Sequence, residues 1–128
     1  MTDLHQSLEA LEHDRWDEPA FPSYIVKTCH RARKKPLCDL THEELRCLIG
    51  QKIGLRYLLP IAVTVLQQEP LLEVTYFPGD LLLVLLRLEP GDWADVPDAL
   101  RQFAALIQAN RAQIDACEDI PHSLTDKY

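Results

Sequence analysis

The sequence has 128 residues, of which 47% are hydrophobic and 26% are charged, and its formal net charge is −7. This length is near the common size of one domain and is too short for two hydrophobic cores. The composition excludes an intrinsically disordered chain, which would be poorer in apolar residues. We therefore predict a single folded domain over residues 1–128.

The acidic excess lies entirely in the second half of the chain. Residues 1–64 hold 9 acidic and 9 basic groups, whereas residues 65–128 hold 11 acidic and 4 basic groups. Such a region repels a phosphate backbone and attracts a basic partner. The alternative is that the acidic balance serves solubility alone.

The chain shows no sign of export or membrane insertion. Its first five residues lack a basic segment and an apolar segment, and its longest apolar run, Tyr57–Leu66, is interrupted by Pro60. That run is about half of the ~20 residues that a membrane span needs. We predict a cytoplasmic protein whose cysteines are reduced thiols, because they form no C-x-x-C pair: Cys29, Cys38, Cys47 and Cys117.

Two helices are predicted near the start of the chain. Thr2 is a candidate N-cap for the first, whose apolar residues follow helical spacing: Leu4, Leu8 and Leu11. Residues 15–22 hold two prolines and Trp16, which we expect to fold back onto the body. Ser23 is the predicted N-cap of a second helix over residues 24–33.

The third and fourth helices have clear boundaries. Thr41 and Glu44 form a capping box at the start of the third helix. Gly50 and Gly54 mark a short break after it. The fourth helix, Leu55–Gln68, is apolar nearly all round and is predicted to be buried, with Pro60 either kinking it or marking its true first turn.

The segment 72–86 allows two interpretations. A β-hairpin is one, because β-branched and aromatic residues precede the turn Pro78-Gly79. We favour a turn followed by a helix, with Asp80 as its N-cap, because the following Leu-rich run is poor in β-branched residues. The predicted class is therefore all-α, with a short strand pair near residues 72–86 as the alternative.

The last predicted helix opens at Pro97 and has an apolar face at helical spacing: Leu100, Phe103, Ile107 and Ile114. We expect residues 119–128 to form a loose, polar C-terminal tail. The whole chain is then a compact bundle of about six helices, with the two most apolar helices at its centre.

No motif for catalysis or metal binding is present. His42-Glu43 resembles half of H-E-x-x-H, but Arg46 stands where the second histidine is needed. No cysteine–histidine pair has the spacing of a structural zinc site, and neither a G-x-S-x-G nor a nucleotide-binding motif occurs. We predict no enzyme, no metal and no cofactor, with an enzyme that lacks recognisable motifs as a remote alternative.

One basic cluster lies at the C-terminus of the second helix: Arg31, Arg33, Lys34 and Lys35. Basic residues at a helix C-terminus complement the helix dipole. The cluster is short and belongs to an acidic protein, so we predict no direct contact with nucleic acid.

Several short motifs occur together in order along residues 20–88: Lys35-Pro36-Leu37, Leu-Thr-x-Glu-x-Leu-Arg from Leu40, Ile-Gly-Gln from Ile49, Gly-Leu-x-Tyr-Leu-x-Pro from Gly54, and Tyr76-Phe77-Pro78-Gly79-Asp80-Leu81-Leu82. In this combination the chain resembles the immunity proteins of bacterial contact-dependent growth inhibition (CDI) systems. It departs from the pattern at Cys38 and Glu69. The shared residues make turns and caps, so the resemblance says more about fold than about an interface.

The resemblance implies a small, mostly helical cytoplasmic protein that is not an enzyme. Such a protein binds and blocks the C-terminal toxin domain delivered by a neighbouring cell, commonly a nuclease. A small regulatory or scaffolding protein with another partner is the alternative. The sequence leaves the oligomeric state and the identity of the toxin open.

The acidic second half supplies the residues that we predict to bind this basic partner: Glu69, Glu73, Glu89, Asp92, Trp93, Asp95 and Asp98. Among them Trp93 stands between acidic residues and has the character of an aromatic anchor. For Trp93 we favour the other interpretation, a loop residue that folds onto the core.

Overall fold

A computed structural model describes residues 3–17 and 23–128. Within these ranges the structure is built of helices, and it contains no strand beyond two isolated bridges, Ser7 with Pro36 and Glu73 with Pro78. The predicted all-α class is confirmed, and the strand-pair alternative near residues 72–86 is wrong. The α-helices are α1 Leu8–Glu12, α2 Tyr24–Arg33, α3 His42–Gly50, α4 Leu55–Gln68, α5 Asp80–Leu86, α6 Pro97–Ala109, α7 Arg111–Asp115 and α8 His122–Thr125. Two 3₁₀ helices, Leu37–Asp39 and Pro90–Trp93, lie between them.

Helix α1 begins later than the sequence predicts. Ser7 is its N-cap, and the Ser7 hydroxyl accepts the Ala10 N–H at 3.2 Å. The carbonyls of Leu4 and Gln6 accept N–H groups from residues 37 and 38 instead of N–H groups of their own helix. This long-range pairing explains why the helical spacing at Leu4 did not produce a helical turn. The predicted cap, Thr2, lies outside the described residues.

The predicted caps of α2 and α3 are confirmed. The Ser23 hydroxyl accepts the Val26 N–H at 3.2 Å at the start of α2. In α3 the Thr41 hydroxyl accepts the Glu44 N–H at 3.1 Å, and the Glu44 carboxylate accepts the Thr41 N–H at 3.0 Å. Both pairs join residues three apart, so local sequence suffices to specify them.

Helix α3 occupies the centre of the fold, in contact with α2, α4 and α5, while α6 packs against α4. The sequence predicts that the two most apolar helices, α4 and α5, are central, and α5 is buried at every residue except Val84. Only one face of α4 is fully buried: Leu58, Leu59, Ala62, Val63 and Leu66. Pro60 lies inside α4 on its exposed side, so it does not mark the first turn. None of the described helices is long and apolar enough to cross a membrane.

Gly54 joins α1 to this core. It has a φ of 65°, a left-handed conformation that favours glycine. A Cβ atom at this position would lie 2.7 Å from Cδ1 of Leu8, which is closer than side-chain atoms approach each other. Glycine is therefore required both by the turn before α4 and by the packing of α1 against it.

The C-terminal region is packed, and the prediction of a loose tail over residues 119–128 is wrong. The last predicted helix ends at Ala109, and α7 and α8 follow as separate short helices, which raises the number above six. Ile120 and Thr125 are buried, and the Tyr128 ring packs edge-on against Phe103 at 5.2 Å between centroids. The tail folds back because its few apolar residues cover the core beside α6.

Candidate functional site

The predicted partner-binding residues separate into two groups in the structure. We call Glu69 and Glu73 the α4 acidic pair, because they end α4 and follow it. The α6 acidic group surrounds the first turn of α6: Glu89, Asp92, Asp95 and Asp98. Asp95 and Asp98 line an open groove with Arg56, which stands near the start of α4. Because a helix rises 1.5 Å per residue, Arg56 is about 20 Å from Glu69 along the axis of α4.

Cations also lie at the α6 acidic group, and two of them, Lys52 and Arg56, come from a distant part of the chain. Lys52 Nζ lies 3.1 Å from Asp92 Oδ2, and Arg101 pairs with Asp98. Arg56 shares the groove with Asp95. The surface is therefore of mixed charge rather than uniformly acidic.

Asp92 has a structural role at this surface. Its carboxylate accepts the Glu89 N–H at 2.8 Å and so closes the turn before the 3₁₀ helix. This hydrogen bond, together with Lys52, holds the pKa of Asp92 below its usual value, although partial burial opposes the shift. Asp92 is therefore ionised at neutral pH and already paired.

Trp93 is 1% exposed and lies in the core. Its ring stacks on Phe103 at 5.1 Å between centroids. This position agrees with the interpretation of Trp93 as a tryptophan that folds onto the core. Its indole packs within the core and is not open to a partner in this conformation.

A second surface carries aromatic side chains that sequence reasoning missed. Tyr76 is 67% exposed and Tyr24 is 58% exposed, and both line one groove with Ile25 and Arg46. We call this the tyrosine groove. It measures about 190 Å³ and lies among α2, α3, α5 and the loop before α5. Its residues come from distant parts of the chain, so no local motif marks it.

Hydrogen bonding and stacking orient both tyrosines. The Tyr24 hydroxyl donates to Glu43 Oε1 at 2.6 Å. The Arg46 guanidinium lies over the Tyr76 ring, 4.9 Å from its centroid. The Nε atom of Arg46 is buried and has no hydrogen-bond partner.

Asp80 fixes the loop that carries Tyr76. The sequence predicts Asp80 as the N-cap of α5, but Gly79 is the N-cap and Asp80 is the first helical residue. The Asp80 carboxylate accepts three N–H groups of the loop, those of Val74, Thr75 and Tyr76, at 2.8, 2.8 and 2.9 Å. Burial raises its pKa, but these bonds and the Arg46 charge outweigh burial and lower it overall.

The comparison with protein families identifies the chain. A family model of CDI immunity proteins matches residues 10–103 of the 128. The chain belongs to this family. The match confirms the resemblance seen over residues 20–88, and it includes the tyrosine groove and both acidic groups. Membership indicates an immunity protein for a CDI toxin, a class of proteins that are generally not enzymes. Neither a curated protein nor a solved structure gave a significant match.

The basic cluster of this immunity protein is engaged in internal ion pairs. Arg31 and Lys35 lie 3.3 and 2.7 Å from the two carboxylate oxygens of Glu44. Arg33 pairs with Glu12 at 2.9 Å. The cluster therefore ties α2 to α3 and to α1, which agrees with a structural role.

The described residues of this immunity protein show no set of three side chains arranged to hold a metal ion. Cys38 Sγ, one of the atoms considered for zinc, lies 3.8 Å from His5 Nδ1. Two such atoms alone do not make a structural zinc site, which needs four ligands.

Proposed function

We propose that this immunity protein binds and neutralises the C-terminal toxin domain of its cognate CDI system in the bacterial cytoplasm. The toxin is a nuclease, and inhibition occurs by steric and electrostatic occlusion of its active cleft. Family membership carries this proposal. The net charge of −7 supports a basic partner, since the cleft of a nuclease must attract phosphates.

The predicted partner-binding residues have separate roles in this proposal. Among the described residues, no ion-pair partner stands beside Glu69, Glu73, Glu89 or Asp95, so these four carboxylates are available to the toxin. Asp92 and Asp98 add to the negative electrostatic field of the surface, although each is paired with a cation. Trp93 acts only through its packing in the core. Exposed charges of this kind accelerate association more than they strengthen the complex.

A co-expression experiment tests the proposed function. The toxin domain encoded beside this gene is induced in cells with and without the immunity protein, and the complex is then co-purified. Growth rescue together with a stable complex is the expected result. If a folded immunity protein gives neither, the proposed function is wrong, and a regulatory or scaffolding role becomes the better hypothesis.

Charge reversal tests the choice of the acidic surface. Glu89→Lys combined with Asp95→Lys is expected to slow association with the toxin and to flatten its dependence on salt, with little effect on folding. The matched control is Glu118→Lys combined with Asp119→Lys, which reverses two exposed carboxylates beyond the matched residues. Equal association rates for both double variants would rule this surface out.

A further inference from the structure

The tyrosine groove has the composition of a protein-binding anchor. Tyr, Trp and Arg are the residues that most often dominate the energy of interfaces. Here two tyrosines and one arginine share a single groove with Ile25, itself an exposed apolar residue. A large apolar side chain that is exposed elsewhere, Leu4, stands outside this groove.

We propose that the tyrosine groove is the anchor site for the cognate toxin domain. The toxin inserts one apolar side chain between Tyr24 and Tyr76, and an adjacent carboxylate or main-chain carbonyl oxygen accepts a hydrogen bond from the Arg46 guanidinium. This inference rests on the proposed function and assigns it a second set of partner-binding residues.

The groove is organised before any partner binds. Asp80 holds the loop of Tyr76 through three hydrogen bonds, and Glu43 holds the Tyr24 hydroxyl. Both tyrosines therefore remain exposed in defined orientations. A surface that is already ordered loses less conformational entropy on binding, which favours affinity.

Arg46 defines the chemistry of the occupant. Its guanidinium lies over the Tyr76 ring, 4.9 Å from the ring centroid, and lines the groove. Its Nη2 donates to Cys47 Sγ at 3.8 Å, a long contact to a weak acceptor. The positive charge of Arg46 favours an oxygen acceptor from the partner, and the apolar walls of the groove favour an apolar side chain beside it.

Residues of the groove are close in sequence to residues at both acidic groups. Glu73 precedes Tyr76 by three residues in the same loop. Gln51 lines the groove, and the next residue, Lys52, pairs with Asp92. A toxin attracted by the carboxylates therefore meets the groove beside them, so that charge governs the association rate and the groove governs the dissociation rate.

Binding measurements on groove variants test this inference. The full-length chain is titrated against the catalytically inactivated toxin domain encoded beside this gene, and its affinity and dissociation rate are measured. Tyr76→Ala is expected to weaken binding by at least about 30-fold, chiefly through faster dissociation. Arg46→Lys keeps the charge but lacks the planar guanidinium that stacks on Tyr76, and a loss of about 10-fold is expected.

The matched control is Leu4→Ala, which shortens an exposed apolar side chain outside the groove and should change affinity less than about 2-fold. Circular dichroism and thermal unfolding establish that each variant is folded. If the wild-type chain binds and rescues growth while Tyr76→Ala and Arg46→Lys bind equally well, the groove is not the anchor. If the wild-type chain fails to bind, the proposed function fails, and this inference fails with it.

Analytical ultracentrifugation tests whether the groove binds another copy of this chain instead of the toxin. A monomer at micromolar concentration agrees with a groove that is open to the toxin. A dimer that Tyr76→Ala dissociates would assign the groove to self-association and overturn the inference.

Discussion

The Asp80 carboxylate accepts the backbone N–H of Tyr76 at 2.9 Å, so a buried acid determines the position of an exposed aromatic residue. Asp80 is 3% exposed and Tyr76 is 67% exposed. The hydrogen bonds of Asp80 therefore run from the first turn of α5 back to the preceding loop. This arrangement links the stability of the fold to the shape of the tyrosine groove.

Asp80→Asn is expected to destabilise the protein and to loosen this loop. The amide has the size of the carboxylate but is uncharged and places an NH₂ donor among three N–H donors. A loss of about 2 kcal/mol in the free energy of unfolding is expected from urea denaturation. Hydrogen exchange should accelerate at the amides of Val74, Thr75 and Tyr76. The control Asp95→Asn, at an exposed carboxylate, should change neither quantity, and a slow-exchanging loop in Asp80→Asn would contradict the role assigned here.

Glu44 is expected to make the free energy of unfolding depend on pH under acidic conditions. Burial opposes its ionisation, but hydrogen bonds from Lys35, Thr41 and Arg31 outweigh burial and lower its pKa from 4.5 to about 2. A lowered pKa in the folded state stabilises the protein above about pH 4.5, and this contribution is lost as the pH falls toward about 2. The contribution is on the order of 3 kcal/mol.

Urea denaturation between pH 6 and pH 2 measures this dependence. The variant Glu44→Gln should be less stable than the wild type at pH 6, and the two curves should converge toward pH 2. The control Glu69→Gln changes an exposed carboxylate at the end of α4 and should follow the wild type. Parallel curves for Glu44→Gln and the wild type would show that Glu44 is not the source of the acid sensitivity.

Arg33→Met is expected to detach the N-terminal segment from α2. Arg33 is buried, its guanidinium lies 4.0 Å from the Trp16 ring centroid, and it donates at 2.9 Å to both Glu12 Oε1 and the Asp14 carbonyl. A loss of about 2 kcal/mol is expected because the substitution removes these bonds and the stacking. Limited proteolysis should become faster within residues 3–17. The exposed Arg15 supplies the control, Arg15→Met, for which wild-type resistance is expected.

Thiol labelling should distinguish the cysteines. Cys38 is exposed, whereas Cys29 and Cys47 are buried. Burial raises the pKa of Cys29 to about 11, so little thiolate forms there at pH 8. Cys38 should react with Ellman's reagent within minutes in the native state, and Cys29 only after unfolding in urea. Loss of the fast phase in Cys38→Ser would confirm the assignment, and rapid native labelling of Cys29 would contradict the packing of α2 against α3.

Local patterns predicted those features that depend on neighbouring residues. Ser23 and Thr41 cap helices as expected, since each hydroxyl bonds an N–H three residues ahead. The same logic failed at residues 4–7 and at Asp80. In the first case the carbonyls bond a segment more than thirty residues away, and in the second the carboxylate bonds backward to the preceding loop.

The sequence by itself determined the all-α class, most helix boundaries and, through its ordered motifs, membership of the CDI immunity family. Periodicity and capping act over a few residues and are therefore readable along the chain. Only the tertiary structure decided that Trp93 is buried, that Lys52 neutralises part of the acidic group, and that Tyr24 and Tyr76 share a groove. Exposure and charge pairing depend on which distant residues the packed helices bring together, and no pattern of adjacent residues encodes that arrangement.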